Sequence, residues 1–170
     1  GGLIYNQFIT VKDKTYYIDD EGRPVKGLAV IKNTEYFFDK QKGAQIKGDF
    51  AVNGKYYDGI TGALVTNSYV RVGSDWYYVN SKGKRLKGAQ IINNVAVYFN
   101  PQNGKQLKGG FDEDGYFYDK DSGAKTDLGK NHYVQINDDW YYIGSEGKIL
   151  KGEQTIDGVQ VHFDTITGVQ

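Results

Sequence analysis

Two glutamines stand twelve residues behind a tyrosine: Gln90 behind Tyr78 and Gln154 behind Tyr142. Each tyrosine is preceded two positions earlier by a tryptophan, Trp76 and Trp140, and on an extended strand residues two apart share a face. An aromatic ring offers an apolar surface, and a primary amide offers both donors and an acceptor. Together they suit a neutral ligand with an apolar side and a hydrogen-bonding rim. Lys105 and Gln106, on the turn after Phe99, are placed to close the second of three such sites, and Tyr98 completes the candidate set. The first copy departs from the pattern, because Ala29 stands twelve residues after Tyr17. In the third, Thr167-Gly168-Val169 offers no lysine where the second has Lys105.

Other chemistries find less support. Asp112 with Asp114, and Asp119 with Asp121, lie in turn sequences, where Asp bonds local backbone, so they do not read as the cleft carboxylates of glycoside chemistry. His132 and His162 are isolated, and His162 occupies the place of Tyr98, which reads as a packing substitute. Asp112-Glu113-Asp114-Gly115 lacks the twelve-residue ligand pattern of a calcium loop. Lys-Gly pairs such as Lys26-Gly27 and Lys108-Gly109 recur too regularly to form a phosphate loop. A catalytic centre, a metal and a cofactor are therefore not expected.

The rings belong to a repeat. A second ring is followed five residues later by glycine at Tyr17/Gly22, Phe38/Gly43, Tyr57/Gly62, Tyr78/Gly83, Phe99/Gly104, Tyr118/Gly123, Tyr142/Gly147 and Phe163/Gly168. The second rings are separated by 21, 19, 21, 21, 19, 24 and 21 residues. A shorter step in every third unit defines triplets over 5–67, 68–131 and an incomplete 132–170, with Leu128-Gly129-Lys130 as an insertion. Residues 1–170 read as one array cut from a longer one. Asn53-Gly54, Gly73-Ser74-Asp75, Asp114-Gly115, Asn137-Asp138-Asp139 and Asp157-Gly158 are hairpin turn signals, as is Val11-Lys12-Asp13-Lys14. No stretch has sustained helical periodicity.

These patterns predict an all-β fold, a β-solenoid of about eight stacked short hairpins of roughly 21 residues. Ordering 20 residues costs about 20 to 40 kcal/mol of backbone entropy, whereas burying a large apolar side chain returns about 1.5 to 3 kcal/mol. A lone hairpin is marginal, so each must pack on its neighbours. Because side chains alternate, Tyr77 shares a face with Val79, and Tyr16 with Ile18. The first ring of each pair, including Phe37 and Tyr141, is expected in the core. The second ring, including Tyr78 and Tyr142, is expected on the other face among polar groups, together with Gln90.

Lys plus Arg and Asp plus Glu balance at 21 each, and this neutrality argues against nucleic acid or an anionic membrane as the main partner. Cysteine is absent, which removes disulfides and thiolate metal sites. No apolar run is long enough to span a bilayer, and residues 1–20 lack a signal-peptide pattern, so an exported parent is expected to carry its signal elsewhere.

Asp75-Trp76-Tyr77-Tyr78, Gly88-Ala89-Gln90-Ile91, Val97-Tyr98-Phe99 and the stretch from Gly152 to Gly158 resemble the YG-type repeats in the glucan-binding domain of bacterial glucansucrases. Related repeats occur in choline-binding proteins and clostridial toxins. The resemblance implies a secreted, extracellular or cell-surface binding module, monomeric and non-catalytic, attached to a sucrose-using transglycosylase. It implies α-glucan or isomalto-oligosaccharide partners held between consecutive hairpins. Family pockets pair a stacking tyrosine with glutamine and lysine donors, which maps onto Tyr78, Gln90 and Lys105, and onto Tyr142 and Gln154. A pyranose has an apolar C–H face and a hydroxyl rim, matching the ring-plus-amide chemistry above. Two alternatives remain. A choline or cell-wall anchor would want cages of several rings, preferably tryptophan, and only Trp76 and Trp140 are present. A structural spacer would need the repeat alone.

Overall fold

A computed structural model describes residues 2–170, and among them every regular element is a strand. The chain divides into a first compact unit ending at Leu86 and a second running from Lys87 to Gln170. In the first, β1 (Gln7–Val11) pairs with β2 (Lys14–Ile18), β3 (Gly27–Ile31) with β4 (Thr34–Phe38), β5 (Asp49–Phe50) with β6 (Tyr56–Tyr57), and β7 (Ser68–Val72) with β8 (Asp75–Val79). In the second, β9 (Gly88–Ile92) pairs with β10 (Val95–Phe99), and β11 (Gly110–Phe111), β12 (Phe117–Tyr118) and β13 (Lys125–Thr126) form a three-stranded sheet. There β14 (His132–Ile136) pairs with β15 (Asp139–Ile143), and β16 (Gly152–Ile156) with β17 (Val159–Phe163). All pairings are antiparallel, and each hairpin is a separate sheet.

The turns follow from residues that accept positive φ. Lys12 and Asp13 sit at φ 49° and 68°, and Asn137 and Asp138 at 50° and 70°, the backbone of a tight two-residue hairpin turn. Asn93-Asn94 and Lys32-Asn33 use the same conformation. The shorter units differ: β5–β6 and β11–β12 are joined by five-residue loops in which Gly54 and Gly115 bond back to Ala51 and Asp112. That is the physical content of the short step in every third repeat.

The buried positions correct the expected facing of the aromatic pairs. The last residue of the second strand is buried in every hairpin: Ile18, Phe38, Tyr57, Val79, Phe99, Tyr118, Ile143 and Phe163. In the first hairpin of each triplet this residue follows the aromatic pair, so Tyr16, Tyr77 and Tyr141 share the core face as expected. In the other units it is the second ring of the pair. Phe38, Tyr57, Phe99, Tyr118 and Phe163 are therefore core rather than outward. Phe37 is also buried, but from the opposite face, by packing 5.9 Å from Tyr57.

A one-residue shift causes the inversion. After Tyr17 the strand runs one residue further, and Gly22 donates to Asp19 three residues back. After Phe38 the strand stops, and Gly43 donates to Asp39 four residues back. Both arrangements keep the glycine five positions after the ring, yet a one-residue slip turns every side chain to the other face. The turn aspartates accept backbone N–H bonds, which hold Asp39, Asp58, Asp119 and Asp164 below the usual carboxylate range.

Candidate functional site

In the first hairpin of each triplet the residue before the buried strand end is a tyrosine on the far face. It meets a second ring directly across the strand pair. Phe8 with Tyr17, Tyr69 with Tyr78, and Tyr133 with Tyr142 all lie 4.9 Å apart at steep interplanar angles. Cross-strand aromatic pairs of this kind stabilise a hairpin while leaving ring surface at its outer side. Tyr78 and Tyr142 are half-buried. Trp76 shares the face of Tyr78 and carries the Arg71 guanidinium 5.6 Å from its ring, whereas Trp140, on the face of Tyr142, is 47% exposed.

The two glutamines do not occupy the face expected of them. Gln90 lies opposite Val97, and Gln154 opposite Val161, and residues directly paired across an antiparallel ladder point the same way. They therefore share the side of buried Phe99 and Phe163 rather than that of Tyr98 and His162. Each is half-buried, with its amide nitrogen donating to a backbone carbonyl: Gln90 to Lys87 at 2.8 Å and Gln154 to Lys151 at 2.9 Å. The hollow beside Gln154, about 150 Å³, is lined by Glu153, Thr155 and Gln160 without Tyr142.

Tyr98 and Lys105 are brought together. They line a cavity of about 290 Å³ in the second unit, between the end of β10, the turn that follows it and the start of the β11–β12 loop. That volume is near the lower end of small-ligand sites, about 300 Å³. Tyr98 is half-buried, its ring 5.7 Å from that of Tyr118. Phe111 and Leu107 add apolar wall, Gln106 and Lys105 add donors, and Glu113 adds an exposed carboxylate. Burial, and after it the Glu113, Asp112 and Asp114 carboxylates, raise the Tyr98 phenol above its ordinary pKa, so it remains a neutral hydrogen-bonding group at pH 7.

Asp112 also borders this cavity but is committed to the fold. One oxygen accepts from the Asp114 and Tyr116 backbone N–H groups, and the other accepts the Tyr118 hydroxyl at 2.9 Å. Gln106 has a packing role besides, because its amide lies where a Cβ on Gly123 would fall, 2.4 Å away. Sequence reasoning missed Phe111 and Glu113 as neighbours of Tyr98. No spacing marked them, since their approach to Tyr98 depends on the path the chain takes after β10.

Neither histidine is a packing ring. His132 Nε2 lies 2.5 Å from the Leu128 carbonyl, and His162, exposed, places Nδ1 2.7 Å from Glu153 Oε1. Among the described residues no group of three or more His, Asp or Glu is placed to hold a metal.

Antiparallel hairpins repeated about every 20 residues, each with a buried apolar residue at the end of its second strand, and with half-open rings on the other face, define the class of hairpin-repeat binding modules. The chain belongs to the choline-binding repeat family, whose model matches residues 25–69 and 86–127, just over half of its length. A related cell wall binding repeat matches 6–23, 67–84 and 131–149, the first hairpin of each triplet. Glucosyltransferase-S of Streptococcus mutans serotype c is 35% identical over 156 residues, 88% of this chain and 10% of that protein. Glucosyltransferase-I of Streptococcus downei is 37% identical over 148 residues, 81% of this chain and 9% of that protein. The chain thus spans about a tenth of these relatives, and matches their repeat region, a binding part rather than the catalytic part. Among solved structures, choline binding protein F from Streptococcus pneumoniae, studied with a peptidoglycan analogue, is similar at a TM-score of 0.55 and 26% identity, covering 95% of this chain and 56% of that one.

Proposed function

We propose that the chain is a non-catalytic module that binds α-glucan of the dextran type, as one stretch of a β-solenoid within a secreted glucansucrase. The observation that carries this reading is the cavity where the Tyr98 ring meets donors from Lys105 and Gln106 and an acceptor from Glu113. A pyranose needs an apolar face beneath it and both kinds of hydrogen-bonding partner around its rim. The outward rings Tyr78 and Tyr142, with Trp76 and Trp140 on the same strands, are the other candidate contacts, whereas Gln90 and Gln154, turned to the buried side of their own hairpins, are not grouped with them. The glucosyltransferase relatives add weight, because an enzyme that handles glucosyl units has use for a module that holds them.

Choline is the competing ligand, and the aromatic surfaces argue against it. Quaternary ammonium recognition needs ring faces open to an external cation. Here the chain's own cations lie over several of them: Arg85 over Phe50 at 4.0 Å and Tyr77 at 5.2 Å, Arg71 over Trp76, and Lys125 over Tyr116 at 3.7 Å.

Single sites are expected to be weak, about millimolar, or about −4 kcal/mol. A polymer that engages several gains through effective concentration. Affinity electrophoresis in dextran gels tests the reading, with migration retarded and free isomaltotriose relieving the retardation. Unretarded migration together with retention on a choline column would replace it by the choline reading. Failure in both assays would leave a spacer.

A further inference from the structure

The same place in the repeat is closed in the first triplet and open in the second. In the first, Glu35 accepts from Lys55 at 3.2 Å and from the Tyr57 hydroxyl at 2.7 Å, and Asn53 donates to the same hydroxyl at 3.0 Å. Leu64 lies so close over Gly83 that a Cβ on that glycine would fall 2.5 Å from its methyl group. In the second triplet the corresponding residues are Ala96 for Glu35, Tyr116 for Lys55, and Lys125 for Leu64. Short or redirected side chains leave a cavity of about 380 Å³, lined by Ala96, Tyr116, Lys125, Thr126, Asp127, Lys130, Glu146 and Gly147. A Cβ on Gly147 would meet nothing nearer than the Gly129 carbonyl at 3.9 Å.

The insertion Leu128-Gly129-Lys130, absent from the first triplet, supplies one wall and one cation of this cavity. Lys125 holds its ammonium 3.7 Å from the centre of the Tyr116 ring, and Lys148 places a second 5.3 Å from the same ring. The acids are already engaged. Asp127 accepts the Gly129 N–H at 2.8 Å, and Glu146 lies 3.9 Å from Lys148. Among the described residues neither Lys125 nor Lys130 has a carboxylate partner, and with Lys148 over the Tyr116 ring the three ammonium groups around this cavity outnumber its two carboxylates by one.

We propose that this cavity is a second binding site, distinct from that of Tyr98, which takes an oxyanion borne on a sugar-sized ligand, either a uronate carboxylate or a phosphate ester. Lys125 and Lys130 hold the anion, because charge-assisted hydrogen bonds to ammonium groups are the strong ones. The Thr126 hydroxyl, which donates to the Ala124 carbonyl, retains acceptor capacity for a ligand hydroxyl. The proposal does not rest on glucan binding at Tyr98, since the two cavities have no lining residue in common.

The test is titration of the full ¹⁵N-labelled chain with glucuronate, inorganic phosphate and glucose. One or both anions should shift the amide signals of Ala96, Thr126 and Gly147 saturably, and the effect should weaken with added salt. Response to glucuronate alone identifies a uronate site, and response to phosphate alone a phosphate-ester site. Lys125→Ala with Lys130→Ala should raise the dissociation constant about tenfold or more. The pair Ala96→Glu and Tyr116→Lys, which copies the closed first triplet, should abolish the response while the remaining spectrum is retained. Equal shifts with neutral glucose, no response to either anion, or an affinity unchanged by loss of both lysines would overturn the proposal.

Discussion

Phe99 and Tyr98 are adjacent, yet the structure gives them opposite tasks, and substitution separates them. Phe99 is fully buried as the last residue of β10, whereas Tyr98 faces the 290 Å³ cavity and rests its ring on Tyr118. Phe99→Ala removes a whole aromatic side chain from a fully buried site, so it should cost about 3 to 5 kcal/mol. In a chain of this length that corresponds to about 10 °C in Tm. Tyr98→Ala gives up partial burial and one ring contact, about 1 to 2 kcal/mol, and should remove most of the dextran retardation. Thermal unfolding followed by circular dichroism gives the first quantity, and affinity electrophoresis the second. If Tyr98→Ala cost as much stability as Phe99→Ala, or Phe99→Ala cost little, the assignment of the last strand residue to the core would be wrong.

Gly83 and Gly147 have nearly the same φ, +79° and +77°, but different surroundings. Gly147→Ala should cost about 1 kcal/mol for the strained backbone alone, and Gly83→Ala clearly more, because its methyl group would meet Leu64 and the Val65 carbonyl; urea unfolding of the two variants measures the difference. Burial chiefly, with the Glu35 hydrogen bond adding to it and Asn53 opposing it, pushes the Tyr57 phenol up to about 12. Its stabilising contribution is therefore intact below pH 10 and lost as pH rises from 10 towards 12, which alkaline unfolding should show and Tyr57→Phe should reduce. Tyr78→Ala should weaken dextran retention while sparing the fold, as its exposed edge and cross-strand contact with Tyr69 lie on the face opposite the buried Tyr77 and Val79.

The hairpins were legible because local chemistry decides them. Asp157-Gly158 and Asn137-Asp138 accept the φ values that tight turns require, and the ring-to-glycine spacing marks each unit. What spacing could not reveal was register. Tyr17 and Phe38 stand at equal distances from their glycines, and only the choice between a three-residue and a four-residue turn decides which ring enters the core. Sequence also placed Gln90 beside the outward tyrosines, whereas pairing with Val97 turns it to the other side. Lys105 was named because it falls on a turn next to a ring. Glu113 was not, because its proximity to Tyr98 depends on the path of the following hairpin. The open cavity at Tyr116 was equally hidden, since it arises from substitutions at 96, 116 and 125 that lie far apart in the chain.

The most direct measurement of the central claim is a chemical-shift titration of the labelled chain with isomaltotriose, run beside an identical one with choline. Glucan recognition requires shifts concentrated at Tyr98, Lys105, Gln106 and Glu113 with the sugar, and none there with choline. Silence at those four residues with isomaltotriose, or a stronger response there to choline, would contradict it.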